Sequence, residues 1–412
     1  MLSGNNGILQ KATQSKEKTT VAGEKEQIQL EVLGSHENDG TLLVETVNTN
    51  VKSHISGVIT DDATEFPLTV TYTATGNKYE VFGDGKVDVK GPSITEYIKV
   101  GDYIDYDPTL GVTDTNKLTY TSPTGTGQSH GNGYTSTETG GGQKFTAKST
   151  AESGIKWRVL SVTNSKIEII PTGVIKKDAI GQNSGNFVLK GAIGYLYAEQ
   201  ELNEVCKIYG YGYGADTSQV TTYLIGGPAL GEEKTGTIIG SGARSIAVED
   251  INKFAKVGEI KNGSTITTSF TDIDSNYGST NNPTSNIKYP TTNSANGQSV
   301  SAEIKNLKYT YYMYNKSKVS DTDIRGMLFN KKYWLSSRCV YPYSEATLFC
   351  TRTVLGANVN YYALFHGYVS SNSEATCTDI AILPLVTLKS SVIDISNVDE
   401  SSGKFENAWK LK

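Results

Sequence analysis

Cysteine is scarce in this sequence, and what there is shows no pairing motif. Cys206, Cys339, Cys350 and Cys377 are the only four in 412 residues, and none forms a Cys-x-x-Cys. Histidine is equally thin, at His36, His54, His130 and His366, and the spacings do not make a zinc site. Four scattered cysteines are too few to staple a fold of this size. Buried free thiols are the simplest reading, with a disulfide among the last three left open in an extracellular setting. No apolar run approaches the ~18 residues of a membrane span, and no signal-peptide core is present. Charged residues make up 20% and hydrophobic ones 37%, both below the globular average. A net charge of −5 gives no electrostatic footprint for nucleic acid.

Two Gly-rich stretches, "YGYGYGAD" (209–216) and "IGSGARS" (239–245), lack the Lys-Ser/Thr of a phosphate-binding loop and read as turns. Carboxylates in "GDYIDYD", "EQELNE" and "VEDIN" carry no marking context for acid–base work. Asp102, Asp105 and Asp107 alternate as calcium ligands can. They lack the Gly and terminal Glu of an EF-hand, so a solvated edge strand is the reading. No metal or other cofactor is expected, and no enzymatic activity.

What the chain has in quantity is glycine (42) and tyrosine (25), with abundant Thr, Ser and Asn, a mixture that suits strands and loops. The Gly4-Asn5-Asn6-Gly7 stretch reads as a turn ahead of a charged helix over 8–32. A helix preceded by a turn suggests chain arriving from elsewhere, so an N-terminal anchor is expected upstream of Met1. In "TLLVETVNTNVKSHI", Leu43, Val47, Val51 and Ile55 recur every four residues, a helical face. Alternation in "FPLTVTYTATGNKYEVFGDGKV" predicts a hairpin turning at Gly76-Asn77, with Asp84-Gly85 as a further turn. Beyond it, "GIKWRVLSVTNSKIEIIP" (154–171) predicts a second hairpin with Trp157 as a core anchor, as Trp334 is in "YWLSS". Helices are expected over 196–210 and 245–258, the latter opened by Ser245. Polar loops are expected over 121–153 and 259–303, and several short strands from 332 to 388. The fold class is α+β. Residues 1–92 form a first module, 93–392 a second, and 393–412 a weakly ordered polar tail.

Two resemblances follow. "LSGNNGILQKA" resembles the segment after the membrane helix of type IV pilin-like proteins of Gram-positive bacteria; Leu2, Gly4, Asn6, Gly7, Ile8, Leu9 and Ala12 carry it. It implies a pilin-like module whose only link to the membrane is the missing anchor, with other pilin subunits as partners. The segments "VGDYIDYDP", "IKWRVLSV", "ELNEVCKIYG", "ARSIAVEDINKF", "YWLSSRCV" and "LPLVTL" resemble, in order, a C-type-lectin-like domain. Many such domains are variable proteins of diversity-generating retroelements, where template-directed mutagenesis randomises chosen codons near the C-terminus. The sequence departs from that pattern at Leu383, where relatives often carry Arg. The formylglycine-generating enzymes share the fold and use a cysteine pair, but Cys339 and Cys350 do not match their motif.

By this resemblance the variable stretch is 339–378. Its expected ligand-binding face is Tyr341, Tyr343, Glu345, Thr347, Phe349, Thr351, Thr353, Asn358, Asn360, Tyr361, Tyr362, Phe365, His366, Tyr368 and Ser370. The composition suits recognition. Tyrosine offers a rigid ring and a hydroxyl for two torsions of entropy, and Ser and Asn add adaptable hydrogen bonds. Randomising an Asn codon at its adenines cannot produce Lys, Glu, Trp or Met, and residues 346–373 contain none of the four. The expected function is surface-displayed, adhesin-like binding of a protein or glycan on another cell or a phage. The alternatives are a pilus subunit without variable binding, and a glycan binder or carbohydrate-active enzyme of fixed specificity.

Overall fold

The computed structural model describes residues 3–61, 63–90, 94–122, 143–150, 154–175, 187–225, 234–255, 287–291, 294–300, 314–343, 346–368, 372–374, 376–377, 380–395, 398–399 and 401–412. They form a mixed α+β protein with several antiparallel sheets and few helices, in two compact units, Met1–Glu96 and Tyr97–Lys412. No helix among the described residues is long and apolar enough to cross a membrane.

In the first unit, helix α1 (Ser3–Leu33) and helix α2 (Val44–His54) cover an antiparallel sheet of β1 (Val58–Thr60), β2 (Leu68–Tyr72), β3 (Lys78–Val81) and β4 (Val87–Lys90), in that order. The four-residue period in α2 buries Val47, Val51 and Ile55 against Leu68, Val70, Tyr79 and Val81, with Ile28 and Val32 of α1. Leu43, expected on that face, precedes the helix and is exposed. The expected turn at 4–7 is helical instead, since α1 already begins at Ser3. Glu24 of α1 accepts hydrogen bonds from Thr75, Asn77 and Tyr79, so its nearly buried carboxylate is solvated by the β2–β3 turn. Burial pushes its pKa up, but these three bonds outweigh burial and hold it below the ordinary value.

The second unit is built on two sheets. One has the order β13 (Ala243–Ser245), β22 (Pro384–Lys389), β9 (Lys166–Pro171), β8 (Trp157–Val162) and β5 (Tyr103–Ile104), all antiparallel. The β8–β9 hairpin turns at Asn164-Ser165 as the alternation predicts, and Trp157 is fully buried. The other sheet is a meander of long strands, β17 (Lys331–Tyr343), β18 (Ala346–Gly356) and β19 (Asn358–Tyr368), flanked by β16 (Tyr314–Asn315) and β20 (Asn372–Glu374). Strands of thirteen, eleven and eleven residues replace the short ones expected there. Their polar Thr, Ser and Asn residues are strand positions, not turns, in ladders interrupted by register shifts at Trp334–Arg338 and Phe349–Cys350. Between the sheets lies a core that includes Leu160, Ile170, Leu328, Leu335, Val354 and Leu385.

Helices α3 (Gly191–Leu196), α4 (Ala198–Lys207), α5 (Val248–Asn252) and α6 (Thr322–Leu328) complete the unit. So do the two-stranded ladders β6 (Thr119–Thr121) with β7 (Lys144–Thr146), β10 (Leu189–Lys190) with β21 (Thr376–Cys377), β11 (Val220–Ile225) with β12 (Lys234–Ile239), and β14 (Ile287–Thr291) with β15 (Ser294–Val300). The last of these lies inside the expected 259–303 loop, the rest of which is outside the described residues, as is most of 121–153. Helix α5 is shorter than expected because Ser245 belongs to β13, paired with Pro384, and Ala255 bridges Val319.

The tail expected to be weakly ordered is docked. Trp409 is 4% exposed, bridges Ile104 in parallel, and donates from Nε1 to Asp102 Oδ2 at 2.9 Å, while Ile393 bridges Leu411. One buried indole outweighs the polar composition that surrounds it. The tyrosine–glycine run also has a packing role: a Cβ on Gly210 would lie 2.2 Å from the Ala243 backbone nitrogen, so the two Gly-rich stretches cross with no room for a side chain.

Candidate functional site

The meander is positioned by a bulge in β17. Its register with β18 slips between Trp334 and Arg338, which leaves residues 335–337 outside the regular pairing and re-aims the side chains around them. Before the bulge, Trp334 is fully buried, donates from Nε1 to the Phe187 carbonyl at 2.7 Å, and meets the Tyr362 ring edge-on at 6.1 Å. After it, Arg338 is 1% exposed. Its guanidinium lies over the Tyr195 ring at 5.1 Å, with Nε 3.6 Å from a Glu199 carboxylate oxygen.

This anchoring decides which expected site residues can meet a ligand. Phe349, Thr351 and Thr353 are fully buried, which removes them from the exposed face. They occupy alternate positions of the central strand. Thr351 pairs with Arg338 and Tyr362, and Thr353 with Trp334 and Asn360, while Phe349 packs edge-on against Tyr195 of α3. The hydroxyls of Thr351 and Thr353 have no hydrogen-bond partner among the described residues. On the neighbouring β19, Asn358 is exposed, and Asn360, Tyr361 and Tyr362 are half-buried. The backbone brings Tyr343 and Tyr368 to the same rung, both paired with Ala346, and Tyr341 and His366 to the rung of Leu348. Thr347 pairs with Pro342 and Gly367, and Phe365 with Phe349. Glu345 and Ser370 lie outside the described residues.

Beside the bulge is a polar cleft of about 520 Å³ between α4, β11, α5 and β17, lined by residues that include Glu199, Asn203, Thr222, Tyr223, Arg244 and Ser337. Arg244 holds Asp250 through two hydrogen bonds of 2.6 and 2.8 Å and lies 3.9 Å from Glu168. Burial raises the Asp250 carboxyl, but the Arg244 bonds and charge, the Ala247 N–H and the Lys253 charge together hold it below the ordinary value. Glu199 goes the other way. Burial pushes its pKa up by more than the Arg338 charge and the Leu224 N–H, at 2.8 Å, bring it down. Ser337 Oγ accepts from the Val248 N–H at 3.0 Å and donates to Glu249 at 3.1 Å, bracing α5 against the bulge. The cleft is thus lined by hydroxyls, an amide and charges that are largely engaged with one another.

None of these cleft residues was singled out from the sequence. Glu199 and Asp250 stand in "EQELNE" and "VEDIN", indistinguishable from solvated helix faces until α4 and β17 come together. The aspartates of "GDYIDYD" are separately engaged: Asp102 with Trp409 and the Lys99 N–H, Asp105 with Lys410, Asp107 with Thr109 and Ser149. Among the described residues no group of three or more His, Cys, Asp or Glu could hold a metal ion. No family model, curated protein or solved structure matches this chain.

Proposed function

We propose that this chain is a surface-displayed binding protein. Its first unit is a pilin-like tether, and its second a C-type-lectin-like scaffold that presents residues 339–378 as a diversified ligand face. The observation that supports this most is the division of labour between β18 and β19. Phe349, Thr351 and Thr353 lock the central strand into the interior, and the adjacent strand carries Asn358, Asn360, Tyr361 and Tyr362 with solvent access. A rigid base with accessible aromatic and amide groups is what a variable interface needs, because substitutions there do not threaten the fold.

Sequencing the same locus from several isolates tests the reading. Substitutions are expected at Asn358, Asn360, Tyr361 and Tyr362, with Phe349, Thr351 and Thr353 constant, beside a reverse-transcriptase gene and a near-duplicate of codons 339–388. Substitutions spread evenly over the surface would favour a pilus subunit with a spacer domain. The polar cleft favours a second reading, a fixed-specificity binder. In that case the locus is invariant and a Thr222→Ala substitution, at an exposed position of the cleft wall, weakens binding.

A further inference from the structure

The β17–β18 ladder places two thiols on one rung. Cys339 pairs directly with Cys350, both are fully buried, and both are free. Directly opposed residues of an antiparallel pair have Cβ atoms roughly 4.5–5.5 Å apart, close to the spacing a disulfide spans. The two thiols are hydrogen-bonded to each other, and Arg352, two residues along β18 and 3% exposed, places its charge beside them. Three groups that seldom meet in a sheet interior therefore share one spot.

We propose that Cys339 and Cys350 are a disulfide-forming pair that covalently closes the β17–β18 hairpin at the base of the meander. The pair is chemically asymmetric. Burial disfavours both thiolates, but at Cys339 the Cys350 hydrogen bond and the Arg352 charge win and its pKa falls, whereas Cys350 is driven up. Before packing, either thiol can start the exchange; written from Cys339, it gives its proton to water and attacks as the thiolate. It opens a low-molecular-weight disulfide such as oxidised glutathione, forming a mixed disulfide and releasing one small thiolate. That thiolate takes the Cys350 proton, and the Cys350 sulfur then attacks the Cys339 sulfur and expels the second small thiolate, which takes up the proton that Cys339 gave to water. Two protein thiols and one small disulfide become one protein disulfide and two small thiols. Because both sulfurs are buried in the folded unit, exchange occurs while the hairpin has paired and has not yet packed. Cys206 lies on α4, where burial pushes its thiol up, and it stays reduced. This inference is independent of the proposed ligand.

The full chain supplies its own readout. Trypsin cleaves after Arg338 and Arg352, so both sulfurs fall on one peptide, residues 339–352. The protein is refolded in oxidised glutathione, denatured, alkylated with iodoacetamide, digested and weighed. The expected result is a 339–352 peptide two hydrogens lighter and carrying no alkyl group, with Cys206 and Cys377 alkylated. Prior reduction should add two alkyl groups to that peptide. Doubly alkylated 339–352 from the oxidised sample, or a crosslink from either sulfur to Cys206 or Cys377, would overturn the proposal. A Cys377→Ser variant should keep the light peptide, and loss of the bridge in that variant would count equally against it.

Discussion

The Arg244 guanidinium grips both carboxylate oxygens of Asp250, six residues along the chain, at 2.6 and 2.8 Å. The Asp250 side chain is 5% exposed and also accepts from the Ala247 N–H that opens α5. The pair therefore joins β13 to α5 at the floor of the cleft. Asp250→Asn should cost about 3 kcal/mol, the low end for breaking a buried pair, since Arg244 retains Glu168 nearby. Urea unfolding at neutral pH measures it.

The same carboxylate predicts acid lability. Its folded pKa lies below the ordinary 3.8, so its stabilisation is complete above that value and is lost as pH falls through it toward the folded pKa. Asp250→Asn should flatten this part of the stability curve below about pH 4. A denaturant series at several pH values, in wild type and variant, reads the difference.

Trp334→Phe removes the indole N–H that the Phe187 carbonyl accepts and leaves a small void beside Tyr362. A cost of about 2–4 kcal/mol is expected from the orphaned carbonyl and the cavity together. The denaturant midpoint should fall with the slope unchanged.

Thr353→Val is expected to stabilise the protein by about 1 kcal/mol. The hydroxyl is buried without a partner among the described residues, and an isosteric methyl removes that desolvation penalty. By contrast, Asn358→Ala, on an exposed strand position, should stay within about 0.5 kcal/mol of wild type. Comparing the two melts separates the scaffold strand from the accessible one.

Trp409→Ala should cost about 3–5 kcal/mol and free the C-terminal segment to proteolysis. Gly403→Ala should act in the same direction. Its φ of +78° disfavours a side chain, and an added Cβ would lie 2.6 Å from the Trp409 indole nitrogen. Limited proteolysis followed by mass measurement detects release of the tail.

Local pattern was readable where burial follows a simple period. Val47, Val51 and Ile55 announce α2, alternation announces β8 and β9, and both Trp157 and Trp334 are core residues as expected. What could not be read depends on partners distant in the chain. Thr351 and Thr353 look like surface threonines, and only their place on the central strand, between Arg338 and Tyr362 and between Trp334 and Asn360, goes with their burial. The cleft draws Glu199, Arg244 and Ser337 from three separate stretches, so no spacing rule joins them. The tail misled because its polar composition hid Trp409, whose partner Asp102 lies 307 residues earlier. The glycines of "YGYGYGAD" did signal something, namely the close passage of Gly210 beside Ala243, although spacing could not say what passes there.

The order of strands also governs when this protein can become itself during synthesis. β22 lies between β13 and β9, yet it is made after both of them and after the whole meander. A nascent polypeptide holding everything up to residue 383 has two strands flanking an open slot, and the large unit can seal only when Pro384–Lys389 leaves the ribosome. A stop introduced anywhere in the codons for 339–378 would therefore leave a chain that lacks the strand closing this sheet, with β13 and β9 unjoined.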